Sequence, residues 1–291
     1  METDTKTLFI EINETNFIFI AGTYDDSQNF KIIKKTIAPS RGIDKTKIIN
    51  LNEVQEEIKK NIQIFEEKLN CIFKEVTIII DNFKNTCISI SGFKKLNGSQ
   101  LLKENISYIL NLLKITVAEN QKEKTILHIF NSKSTLDGNL IENLPIGLYG
   151  DFYSHELTFF MIENNDLKNI KKLFNQNNLE VKKILIKNFV EGAQLINDNN
   201  NVQTFFKIKI NKETSNISFF DKAAFRYEEQ FNFGSNMIFK DIAKVCSIDN
   251  ETIKSFLLDS SFKEKNFKKD NFFDEKFFSK SSYRKIRKKL I

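Results

Sequence analysis

Apolar and polar positions alternate from the start of the chain. TLFIEI and NFIFIAG read as two β-strands of period two, joined by a short polar turn at Asn13, Glu14 and Thr15. FKIIKKTIA continues the alternation as a third strand, and the loop APSRGIDKT follows. The apolar positions then switch to helical spacing. Asn52 is expected to cap a helix, with Gln55 at the capping-box position and Val54, Ile58, Ile62, Phe65 and Leu69 on one face. VTIII at 76–80 is a continuous β-branched run, the pattern of a strand buried on both faces. This first block reads βββαβ.

A different rhythm occupies 84–178. It predicts a strand, TCISISG, and a helix from Ser99 with Leu102, Ile106, Ile109, Leu113 and Val117 inward. Strands TILHIF and ELTFFMI follow, then a helix capped by Asp166. Strand–helix–strand–strand is a small α+β unit, expected here as an insertion into the surrounding domain. VKKILIK and NFVEGAQLI, a strand and a helix, return to the first block. Residues 202–232 then repeat the opening: FFKIKI and SNISFFD flank an Asn-Lys-Glu-Thr turn, and AAFRYEEQFNF is a third strand. Asn13 and Asn211 are too far apart for a solenoid repeat, so two similar βββα halves point to duplication with pseudo-twofold symmetry. The expected domains are 1–83 completed by 179–197, the inserted 84–178, and an incomplete 198–291.

Composition narrows the function. The chain has 291 residues, 41% hydrophobic and 28% charged, enough for a sizeable core. No apolar run reaches the length of a membrane span, and METDTKTLFIEI lacks the features of a signal peptide. Three scattered cysteines suit free thiols in a reducing compartment, and two histidines argue against a His/Cys metal cluster, so no metal ligands are expected. Neither His128 nor His155 has a Ser or Cys partner at recognisable spacing, and a structural role is expected for both; no catalytic residue is assigned. There are 34 Asn, 40 Lys and 29 Phe against 4 Arg, a bias that A and T-rich codons produce, so single Asn and Lys residues carry little weight. Charge is concentrated at the end: 262–291 holds eleven Lys/Arg and four Asp/Glu, a balance of +7 that leaves −1 for the rest. This tail reads as a solvated loop running into a helix, or as a contact for an acidic membrane or nucleic acid. The first is preferred, and no nucleic-acid partner is expected.

Four motifs carry a resemblance. They are Ser40-Arg41-Gly42-Ile43 after the third strand, LHIFNSKSTLDG ending at Asp137-Gly138, PIGLYG with Pro145, Gly147 and Gly150, and FNFGSNMIFKDIA with Gly234, Ser235, Asn236 and Asp241. In this order, with the insertion between the first and second, they resemble the FtsA family of bacterial cell-division proteins, within the actin/Hsp70 superfamily. The resemblance implies an α/β, actin-like (ribonuclease H-like) fold of duplicated βββαβ halves, with an SHS2-type domain inserted in the first. It also implies ATP with Mg²⁺ held in a cleft by the two hairpin turns, at Asn13, Glu14, Thr15, Lys212, Thr214, Ser215, Gly234 and Ser235. Arg41 reads equally as a loop ion pair or as part of the family's interdomain or polymer contacts.

The turns depart from the family pattern. Its D-I-G-T-[ST] stands here as Glu11-Ile12-Asn13-Glu14-Thr15, and its D-I-G-G-G-T-T-D as Lys209 to Asn216. Glu14 and Glu213 would set carboxylates near triphosphate charge, a repulsion of about 1 kcal/mol or more each when partly buried. Lys209 stands where the family has its Mg²⁺-organising Asp, and Lys212 could offset some of the repulsion by pairing a phosphate. Weakened nucleotide binding and weak or absent ATPase activity are therefore expected. The implied function is a scaffold that polymerises, links FtsZ filaments to the cytoplasmic face of the inner membrane at the division site, and recruits other divisome proteins. The family's membrane helix and its FtsZ-contacting lobe would follow Ile291, so a C-terminally truncated chain is expected. The alternatives are an active ATPase or small-molecule kinase of the superfamily, against which Lys209 argues, and a pilus-assembly adaptor of the same fold.

Overall fold

The computed structural model describes residues 6–253, apart from 27–28, 45–46, 82, 199–200, 248 and 250. The basic tail 262–291 lies outside the described residues. The chain opens with β1 (Thr7–Ile12), β2 (Asn16–Tyr24) and β3 (Phe30–Pro39), then the short β4 (Ile43–Asp44) and β5 (Lys47–Ile48), helix α1 (Leu51–Leu69) and β6 (Glu75–Ile80). Next come β7 (Asn85–Lys95), α2 (Lys103–Asn120), β8 (Lys124–Leu136), β9 (Asn139–Ile141), β10 (Phe152–Glu163) and α3 (Asn164–Asn175). The last described elements are β11 (Glu180–Ile186), α4 (Lys187–Asp198), β12 (Phe205–Ile210), β13 (Ser215–Asp221), β14 (Ala224–Phe231) and α5 (Ser235–Cys246).

The first sheet runs β11-β6-β1-β2-β3. β1, β2 and β3 form an antiparallel meander, whereas β6 lies parallel to β1 and β11 parallel to β6. The alternation that predicts the strands also sets their faces: Leu8, Ile10 and Ile12 of β1 and Phe17, Phe19 and Ala21 of β2 are buried. Val54, Ile58, Ile62 and Phe65 of α1 and Leu167, Ile170, Leu173 and Phe174 of α3 complete this core. Each such side chain contributes about 1.5–3 kcal/mol when fully removed from water.

A second, antiparallel sheet runs β7-β10-β8-β9. Its core takes Ile109, Leu113 and Val117 from α2 and Tyr153, Leu157, Phe159 and Met161 from β10. The third sheet runs β12-β13-β14. A further core cluster gathers Phe160, Ile186, Phe220 and Phe225. Its rings stack face to face: Phe205 on Phe220 at 4.8 Å, Phe220 on Phe225 at 4.8 Å, and Phe225 on Phe160 at 4.2 Å. Among the described residues, those up to 207 with 217–229 form one compact unit, and 208–216 with those from 230 to 253 form a second.

Three helix starts differ from expectation. Asn50, not Asn52, caps α1: its Oδ1 accepts from the N–H groups of Asn52 and Glu53, and its Nδ2 donates to the Glu53 carboxylate at 2.8 Å. Helix α2 begins at Lys103 rather than Ser99, because Leu101 N–H donates to Leu148 O and Gln100 bridges to Tyr149. Asp166 is buried in the first turn of α3 instead of capping it, since β10 runs straight into the helix at Glu163. Among the described residues no helix is long and apolar enough to cross a membrane.

Candidate functional site

In a sheet with parallel strands, backbone direction converges chemistry at the carboxyl ends of the strands. Here those ends are Ile12, Ile80 and Ile186, and the polar residues beside them are Glu11, Asp81 and Lys187. Lys187 is the first residue of α4 and follows β11 without a loop. Its ammonium pairs with Glu11 and lies 3.8 Å from Asp81 Oδ2. Asp81 is held to the end of β1 by its own N–H, which donates to Ile12 O at 3.0 Å. All three groups are largely shielded from water. Burial alone would depress the lysine, but the carboxylates of Asp81 and Glu11 outweigh it and hold its pKa above the usual value.

The first turn lies beside this triad. Asn13 is buried, and its Oδ1 accepts from Thr15 N–H at 3.0 Å, from Asn16 N–H at 2.7 Å and from the Thr15 hydroxyl at 3.1 Å. Its Nδ2 donates to Glu11 at 2.9 Å. A side-chain amide thus satisfies the donors of its own loop, as Asn does in turns generally. The Asn13 N–H donates to Asn16 O at 3.2 Å, and Ser40 N–H reaches Thr15 O at 3.0 Å, which brings the head of the Ser40-Arg41-Gly42 loop to the same turn. Arg41 is exposed.

The second turn belongs to the other unit and has its own closure. Asn211 N–H donates to Thr214 O at 2.8 Å. At the head of α5, Ser235 N–H donates to Asn211 O at 2.8 Å and Asn236 N–H to Lys212 O at 3.0 Å. Gly234 permits this: a Cβ there would lie 2.5 Å from the Lys212 carbonyl carbon and 2.6 Å from Glu213 N. The Ser215 hydroxyl donates to Phe233 O at 2.6 Å, and Asn236 Nδ2 to Glu213 at 2.6 Å. Lys212, Thr214, Ser215, Gly234, Ser235 and Asn236 are therefore brought together, whereas Asp241 lies exposed further along α5. The β9–β10 loop carries Pro145, Gly147 and Gly150 and is tied to the segment before α2 by Gly147 N–H to Leu101 O, 2.8 Å.

The triad partners Asp81 and Lys187 were absent from the residues expected at the site. A signal existed: each is the first polar residue after an apolar strand, VTIII and ILI, whose parallel pairing with β1 puts it at the carboxyl edge. His155 Nδ1 is hydrogen-bonded to Tyr153 Oη at 2.7 Å and its Nε2 to Asn131 Oδ1 at 3.2 Å, while His128 packs against Phe130 and Phe189.

No family model matches the chain. Cell division protein FtsA of Buchnera aphidicola subsp. Acyrthosiphon pisum is 21% identical over 246 residues, 84% of this chain and 58% of that protein. FtsA of Escherichia coli K12 is 20% identical over 242 residues, 83% of this chain and 57% of that protein. The chain resembles FtsA over most of its length. A chain of the solved PilM–PilN type IV pilus biogenesis complex superposes with a TM-score of 0.57 at 10% identity, covering 86% of this chain and 68% of that one. With the strand order β3-β2-β1-β6-β11, this makes the fold actin-like. The FtsA-like chain spans just under three fifths of the length of the curated relatives it matches.

Proposed function

We propose that this chain acts as an FtsA-like scaffold in bacterial cell division. In this reading it assembles with copies of itself, links FtsZ filaments to the cytoplasmic face of the membrane, and recruits further divisome proteins. The observation that carries the reading is similarity to FtsA proteins from two genera along more than four fifths of the chain, on an actin-like fold. Residues 84–178 would serve as the SHS2-type insertion and supply contact surface. Supporting this, Phe93 and Phe152 stack at 5.2 Å on the outside of the second sheet, and Leu148 and Tyr149 stand exposed in the neighbouring loop.

The resemblance brings ATP with Mg²⁺ to the two hairpin turns. The residues present do not fit that group. In the first turn the Thr15 and Asn16 N–H groups are already taken by Asn13, and in the second the leading N–H groups of α5 are taken by turn carbonyls. The work of the chain is accordingly binding rather than turnover. A pilus-assembly adaptor is the second reading, because the PilM-containing complex shares the fold. A two-hybrid assay against FtsZ, PilN and the chain itself separates them. Signals with FtsZ and with itself are expected; association with PilN and not FtsZ would replace the division reading by the pilus one.

A further inference from the structure

Glu11, which stands where the family pattern has Asp, meets Asp81 and Lys187 at the carboxyl ends of three adjacent strands. The ammonium reaches both carboxylates at once, and its position is fixed because β11 passes directly into α4. We propose that the Lys187 ammonium is a built-in replacement for a divalent cation, completing the first half of the fold without metal or nucleotide.

Two features point the same way. A cation brought to Glu11 and Asp81 would face a like charge already in contact with one of them and 3.8 Å from the other. A phosphate brought to the first turn would have to displace Asn13 Oδ1 from Thr15 N–H, Asn16 N–H and the Thr15 hydroxyl. Displacing the amide would also disturb its Nδ2 bond to Glu11, so the turn and the ion triad form one connected network. The second turn shows the same self-sufficiency, its carbonyls of Asn211 and Lys212 occupying the N–H groups at the head of α5. The inference concerns how the fold is completed and holds whether or not the chain engages FtsZ.

The test is thermal unfolding of the full chain in EDTA, in MgCl₂, in MnCl₂ and with Mg–ATP, for four proteins. The wild type should show one midpoint in all four conditions. Lys187→Met leaves two shielded carboxylates together and should unfold roughly 5–10 °C lower in EDTA. It should recover at least half of that loss in Mg²⁺ or Mn²⁺, a response the wild type lacks. Lys187→Arg should stay near the wild type. The double variant Glu11→Gln/Lys187→Met, with one negative charge as in the native triad, should recover much of the stability and ignore both cations. A wild-type midpoint that rises with Mg²⁺ or Mg–ATP overturns the proposal, as does Lys187→Met matching the wild type in EDTA or failing to respond to either cation. Should Lys187→Met not fold, the remaining two decide: a double variant that responds to Mg²⁺, or Lys187→Arg that needs it, overturns the proposal.

Discussion

Gly192→Ala should destabilise the protein although it improves the helix. Gly192 lies in the interior of α4, where alanine is worth about 1 kcal/mol in helix propensity. Its missing side chain is filled by Phe220: a Cβ would lie 2.5 Å from Cε1 and Cε2 of that ring, and closer still to Cζ. The ring has nowhere to go. Phe205 stacks on one neighbour position at 4.8 Å and 7°, and Phe225 at 4.8 Å and 19°. Overpacking of a closed core costs about 1–3 kcal/mol, and this overlap belongs at the upper end. Subtracting the helix gain leaves a net loss of about 2 kcal/mol. Equilibrium urea unfolding reads this as a lower midpoint at unchanged slope. Phe220→Leu removes the obstructing atom, so the alanine should cost less in that background, by a coupling of about 1 kcal/mol or more. If Gly192→Ala is as stable as the wild type, or costs as much in the Phe220→Leu background, the packing argument is wrong.

Three further outcomes are expected. Asn13→Ala removes the acceptor shared by two backbone N–H groups and a hydroxyl, and should cost about 1–2 kcal/mol by chemical denaturation. Asn50→Ala strips the cap from α1 and should cost about 1 kcal/mol, whereas Asn52→Ala should be near neutral; the reverse order would restore Asn52 as the cap. Burial pushes the His128 imidazole down from 6.5 to about 4. The unfolded chain therefore binds its proton first, and stability is full above about pH 6.5 and falls towards pH 4. Allowing for partial exposure, the loss between pH 7 and pH 5 is about 1 kcal/mol, and His128→Gln should remove that share of the pH slope.

Much of the architecture was legible because its signals are local. The alternation of FFKIKI and the continuous VTIII mark β12 and β6 almost to the residue. The actin-like fold class, implied by the resemblance that the repeated hairpin and a few motifs carry, is borne out by the likeness to solved structures. What misled was competition between equivalent residues or between distant partners. Asn50 and Asn52 are equally good caps, and the choice falls to the one whose helix brings Leu51 against the core. The segment before α2 has helical spacing, yet its backbone is claimed by the loop around Leu148, which no local pattern reveals. The ion triad escaped for the same reason. Glu11, Asp81 and Lys187 are scattered along the chain and become neighbours only when β1, β6 and β11 pair.

The column of rings through Phe205, Phe220, Phe225 and Phe160 also bears on how the chain is made. Phe160 emerges from the ribosome well before Phe225, the ring that stacks on it most closely. At about 5–20 residues per second, several seconds of synthesis separate the two. During that interval Phe160 has the edge of Phe130 beside it but lacks the Phe225 ring that stacks on its face, a contact of the long-range kind that forms slowly. Co-translational folding of the first unit therefore waits on the return of β13 and β14, and a nascent chain stalled before them would present a sticky phenylalanine face to chaperones.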